Sequence, residues 1–163
     1  HYAESRVQYW LDPFSDPRGK GFQTIQSLLA IGSGGLMGTG VGNSRQKYLY
    51  LPEAQNDFIF SVVCEELGFI GATLVICLFA LLIWRGFVIA MRSKDRFGAL
   101  VVVGLVTQVG IQTILNIAVV TNTVPNTGIG LPFFSYGGTA LMMLLAQMGV
   151  VLSVSRQAVL EKE

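Results

Sequence analysis

Leu67-Gly68-Phe69-Ile70-Gly71-Ala72-Thr73-Leu74-Val75-Ile76-Cys77-Leu78-Phe79-Ala80-Leu81-Leu82-Ile83-Trp84 carries no charged residue. A helix of that length rises about 27 Å, close to the ~30 Å hydrocarbon core of a bilayer. Upstream, Glu65 and Glu66 interrupt the run. The apolar character then resumes back to Phe58, with Asp57 at its mouth. Two further apolar stretches reach bilayer length, at residues 97–120 and 137–155. Apolar residues make up 52% of the chain and charged ones only 13%, low for a soluble domain. Soluble core helices rarely run this long without a charge in every turn, so the expectation is an all-α integral membrane protein. The spans are placed at about 58–84, 97–120 and 137–155, behind a large segment 1–57.

No signal peptide sits at the N-terminus. Starting at His1 with only three spans, the chain reads as a piece of a longer protein. Cys64 and Cys77 lie thirteen positions apart on one rod, which excludes a mutual disulfide. The net charge of +1, with scattered basic residues, implies no nucleic-acid partner.

Charge sets the expected orientation. Residues 85–96 contain Arg85, Arg92, Lys94 and Arg96 against Asp95 alone, whereas residues 121–136 have no lysine or arginine. By the positive-inside rule the first loop and the tail, with Arg156 and Lys162, are cytoplasmic. Residues 121–136 and Asp57 then lie outside. Arg6, Arg18, Lys20, Arg45 and Lys47 pull the other way, but long translocated segments obey the rule poorly. Cations held outside against that preference fit an anionic ligand.

In the outer segment, Ile25, Leu28, Leu29 and Ile31 share one side of a short helix and Gln23, Gln26 and Ser27 the other. Such a helix suits the membrane surface. Six glycines follow within eleven residues, Gly32 to Gly42. They match neither a P-loop nor GxGxxG in its strand–turn–helix context, so a flexible or tightly turned loop outranks a phosphate cradle. Arg45 and Lys47 then flank Gln46 close to Tyr48 and Tyr50. Pro52 is suited to a first helical turn. From there Asp57, Ser61 and Glu65 share a helix face, with Asp57 near the favourable end of the macrodipole. A lone interfacial aspartate is most simply a solvated one, and Glu65 and Glu66 read as structural.

Gln108, Gln112 and Asn116 form a stripe at i, i+4 and i+8 on the second span, with Gly104 beside them. Helix-to-helix hydrogen bonding is the plainer role and substrate contact the sharper one. Residues 126–139 mix aromatic rings, Ser135 and Tyr136 with glycines. Non-helical backbone at membrane depth must line a cavity or pack in protein, so a re-entrant loop beside an active face is expected here.

Gln26-Ser27-Leu28-Leu29-Ala30-Ile31-Gly32-Ser33-Gly34-Gly35, Leu51-Pro52-Glu53-Ala54-Gln55-Asn56-Asp57-Phe58-Ile59-Phe60, Glu65-Glu66-Leu67-Gly68-Phe69-Ile70-Gly71 and Leu131-Pro132-Phe133-Phe134-Ser135-Tyr136-Gly137-Gly138-Thr139 together resemble the shape, elongation, division and sporulation (SEDS) proteins of the FtsW/RodA/SpoVE group. Their order and spacing fit along nearly the whole chain. The resemblance implies the C-terminal part of a ten-span bundle in the bacterial cytoplasmic membrane, active face outside. The Gln46-Lys47-Tyr48 stretch and the polar spacing are nearer the division and sporulation branch than the elongation branch.

By the same resemblance the activity is peptidoglycan glycosyl transfer, polymerising lipid II, and the essential outer aspartate falls on Asp57. Gln55-Asn56 stands where many members have His-Thr, which leaves Asp57 the obvious base. Arg45, Lys47, Ser135 and Tyr136 are the expected substrate-binding residues. No resident cofactor is called for, with a divalent cation on the diphosphate as the candidate assistant. The implied partners are lipid II, a class B penicillin-binding transpeptidase, and other divisome or elongasome proteins. A lipid II flippase and a divisome scaffold are the competing roles.

Overall fold

The computed structural model describes residues 10–12, 22–40, 57–135 and 137–160. Four helices order the described chain: α1 (Phe22–Ser33), α2 (Ile59–Arg92), α3 (Arg96–Val120) and α4 (Gly138–Leu160). The last three are each long and apolar enough to cross a membrane. Within their apolar windows only 22%, 28% and 11% is buried, so most of each surface stays open to lipid or to further helices.

The first span differs from its expected bounds. α2 continues through Arg85 to Arg92, eight residues past Trp84. Arg85 is exposed, and a long basic side chain near a helix end carries its charge to the interface while its stem covers apolar surface. The expected loop 85–96 shrinks to Ser93-Lys94-Asp95. Asp95 caps α3, accepting from the backbone N–H of Phe97 at 3.3 Å and of Gly98 at 2.9 Å, which satisfies two of the donors that a helix start leaves open.

At 34 residues α2 would be about 51 Å long if straight, well beyond a bilayer core. It is not continuous. Gly68 takes φ 67°, ψ −167° inside it, a conformation open to glycine and strained for other residues. In an unbroken helix the N–H of Phe69 and Ile70 would bond the carbonyls of Glu65 and Glu66. Both pairs are lost at the break, and the glycine-rich segment replaces them. Thr39 N–H donates to Glu65 O (2.9 Å) and Gly40 N–H to Glu66 O (3.1 Å). In return Phe69 N–H donates to Gly35 O (2.9 Å) and Ile70 N–H to Leu36 O (3.3 Å).

The two backbones approach so closely that a Cβ on Gly38 would collide with Glu66 O and the Gly68 nitrogen, and one on Gly34 with Cys64 O. These glycines are therefore spent on main-chain docking, the tightly turned form of the two expected loops. Gly38→Ala should lower the full-length protein's thermal midpoint by several degrees, a cost of about 1–3 kcal/mol for strain at φ 78° plus the lost hydrogen bonds. An unchanged melting temperature in detergent would refute the plug.

α1 packs on α2 and α3 through small residues rather than its leucines. Ser27 and Ala30 are buried, while Leu28 and Leu29 are exposed. Ser27 Oγ donates to Val120 O at 2.9 Å, capping a carbonyl that the end of α3 would otherwise leave open. The side expected to be polar is thus the packing face, and the leucines are left for an apolar surrounding. Small residues recur where α2 crosses α3: a Cβ on Gly86 would strike Val106, and Gly110 faces Ile83. Close backbone approach of this kind is how apolar helices gain packing energy in lipid.

One core cluster, including Phe60, Phe79, Val109, Val120 and Leu131, fills the end of the bundle near Asp57. A second, of Ile89, Ala90, Val102, Val106 and Val151, fills the other. Cys64 is buried, Cys77 exposed, and both are free.

Candidate functional site

Asp57 stands in a turn two residues before α2, not within a helix. The continuous face Asp57–Ser61–Glu65 is therefore broken at its first member. Ser61 and Glu65 do share a buried face, at 0% and 2% exposure, and Ser61 Oγ turns back to Phe58 O. Phe58, the residue between Asp57 and the helix, is fully buried and pins the turn to the core. Pro52 lies outside the described residues.

The stripe on α3 divides by depth. Asn116 is fully buried, and its Nδ2 donates to Asp57 O and to Ile129 O, both at 2.8 Å. One amide thus ties the turn that carries Asp57 to the loop between α3 and α4. Gln108 and Gln112 instead line a cavity of about 650 Å³ together with Asp57. The two readings of the stripe apply to different residues: Asn116 is structural, and the glutamines face open space.

The loop lines this cavity through residues 128–133 and Ser135. Gly128, at φ 72°, lies against the carboxylate, and a Cβ built on it would stand 3.6 Å from Asp57 Oδ2. Leu131 is buried, and its carbonyl accepts from Ser135 Oγ at 2.9 Å. Phe133 and Phe134 reach Phe79 with ring centroids 6.4 and 6.2 Å apart. Phe79 is about three turns, ~16 Å, beyond the break in α2, so the loop descends well along the span. Phe133 holds φ 66° there, an uncommon conformation for an aromatic residue. The irregular backbone here lines the cavity, the placement that non-helical backbone within a bilayer would need.

Ser135 lines the same cavity as Asp57. Arg45, Lys47 and Tyr136 lie outside the described residues. Gln147 on α4 also lines the cavity and was not singled out from sequence. Its signal was available, since it is the one amide in the apolar run 138–155. No group of three or more His, Cys, Asp or Glu residues among those described could hold a metal ion.

Three long apolar helices, with a carboxylate and an irregular loop lining one cavity, define a polytopic membrane protein. The chain belongs to the FtsW/RodA/SpoVE cell cycle protein family, whose model matches residues 1–160. It is 54% identical to stage V sporulation protein E of Bacillus subtilis over 155 residues, covering 95% of this chain and 42% of that protein. It is 46% identical to a probable peptidoglycan glycosyltransferase FtsW of Geobacter sulfurreducens, covering 94% and 41%.

Among solved structures it superposes on a chain of a peptidoglycan synthase complex, studied for coordination of polymerization and crosslinking, with a TM-score of 0.73 and 36% identity, covering 96% and 42%. An aspartate-to-alanine mutant of the Thermus thermophilus rod shape determining protein RodA matches with a TM-score of 0.62 and 36% identity, covering 81% and 40%. The chain spans about two fifths of the length of these relatives. Its membership and its three apolar helices make it part of an integral membrane protein.

Proposed function

We propose that the full-length protein is a peptidoglycan glycosyltransferase that polymerises lipid II, with Asp57 as general base. The observation that carries this reading is Asp57 at a 650 Å³ cavity walled by Gln108, Gln112 and the re-entrant loop, held by Asn116 through its own carbonyl. The names of the relatives and their shared family point the same way.

In the proposed step, Asp57 accepts the proton of an acceptor sugar hydroxyl. That oxygen bonds to the anomeric carbon of the donor, and the bond to the diphosphate breaks, its electron pair leaving with the phosphate oxygen. A diphosphate departs as an anion, so a second carboxylate acting as acid is less needed than in glycoside hydrolysis. Arg45 and Lys47 would neutralise the departing charge. A divalent cation would come bound to the diphosphate, since magnesium is usually held by substrate phosphates and few carboxylates.

Strand synthesis from purified lipid II by the full-length protein tests the activity, and absence of polymer with its transpeptidase present would overturn it. The Arg45→Ala, Lys47→Ala double variant should raise KM or lower turnover. Unchanged kinetics would return both residues to the surface.

The glutamines in the cavity also favour a second reading, passage of the lipid-linked sugar across the membrane, and substitution of Asp57 separates the two. The working face is proposed to be outside the cytoplasmic membrane. Ser93, in the α2–α3 turn, and Asn126, in the loop at the other end, serve as reporters. In otherwise accessible cysteine variants, an impermeant reagent outside cells should label position 126 and spare 93. The reverse pattern would sink the orientation.

A further inference from the structure

Three amides enter the mostly apolar lining of the cavity beside Asp57. Gln108 and Gln112 enter from α3 and Gln147 from α4, and its described lining includes no lysine or arginine. Gln147 Oε1 is buried without a hydrogen-bond partner among the described residues. A buried acceptor left unmade is costly, and a carboxamide at a cavity wall recovers that cost by turning onto a ligand donor.

Among the described lining residues Asp57 is the one charged group, and a carboxylate opposes a polyanion, which is held by cations or converging N–H groups. A carboxamide presents donors and an acceptor together, which suits a ligand bearing an amide of its own. Leu131 and Leu144, both buried and both in the lining, add an apolar floor for a methyl group. The volume lies within the ~300–1,000 Å³ range of small-molecule sites.

We propose that this cavity is the acceptor subsite, and that Gln147 reads the acetamido group of the sugar whose hydroxyl Asp57 deprotonates. This inference rests on the transferase reading. Sugar ring, acetamide and methyl would then meet hydroxyl-binding amides, Gln147 and the leucine floor respectively. Gln147 is a specificity residue in this scheme, and the proton transfer stays with Asp57.

The test uses full-length protein in nanodiscs and two lipid-linked disaccharides, one native and one with the terminal acetamido replaced by hydroxyl. Wild type should bind the native probe about tenfold more tightly or better. Gln147→Leu should bring that ratio close to one and raise KM for strand synthesis about tenfold, with kcat within about threefold. Gln147→Met, close in length, gives the same comparison should the leucine variant fail to fold. An undiminished ratio in a folded variant, or no discrimination by wild type, overturns the proposal. Equilibrium binding needs no turnover, so it is scored separately from the transferase reading. A polymerising Asp57→Asn variant sinks the base, whereas a retained ratio beside an inactive Asp57→Asn sinks only the role of Gln147.

Discussion

On the proposed transferase reading, full-length protein carrying Asp57→Asn should insert, retain a transpeptidase partner and bind lipid II, yet make almost no glycan. Asparagine preserves the size of the side chain and much of its hydrogen bonding while removing its capacity to take a proton at neutral pH. The turn is held by Asn116 through the backbone carbonyl at 2.8 Å and by the buried Phe58. Neither contact involves the carboxylate, so both are kept in the variant. General-base assistance contributes about 10²–10⁴ in rate, and the loss should fall on kcat. Polymerisation within a few-fold of wild type, with the partner still co-purifying, would refute the base and favour transport or scaffolding. Loss of lipid II binding along with synthesis would show instead that Asp57 holds the substrate.

The helices were legible because lipid imposes a simple rule. Uncharged runs of bilayer length at 67–84, 97–120 and 137–155 leave little alternative to helix. Their ends were harder to read where the constraint relaxes. Arg85 looked like a loop residue, but a basic side chain near a helix end reaches the interface without ending the helix, and α2 continues to Arg92. The glycine cluster was visible as a turn but not as a plug. Its purpose depends on the break at Gly68, a single glycine in an apolar run that resembles any other helix-packing glycine. What α1 packs against was not legible either: its leucines stay exposed, while Ser27, on the polar side, is drawn in by an open carbonyl on α3.

The site was legible in part through isolated polar residues in apolar helices. Asp57, Gln112 and Asn116 all reported themselves in that way, and Gln147 carried the same signal on α4. The division of labour along the α3 stripe was not legible. Spacing places Gln108, Gln112 and Asn116 on one face, and only the return of the loop over Asn116 decides which of them is buried.

Asn116 should therefore be the most sensitive position away from the carboxylate. Its Nδ2 serves two carbonyls, of Asp57 and Ile129, from a fully buried site. Asn116→Leu keeps the approximate volume and strips both hydrogen bonds, leaving two buried acceptors short at about 1–3 kcal/mol each. Part of that cost is relieved by movement, since the turn and the loop are otherwise joined through Leu131 and the Gly128 contact. Displacement of the carboxylate by about 1 Å is enough to lower the rate about 10²-fold. The expected result is a lower thermal midpoint and a fall in kcat of that order, with KM for lipid II changed far less. Asn116→Asp tests the direction of the bond, because an ionised carboxylate only accepts and would face two carbonyls. It should be at least as impaired as the leucine variant despite its closer shape. Normal turnover by either variant in folded protein would mean that Asp57 is positioned without this amide.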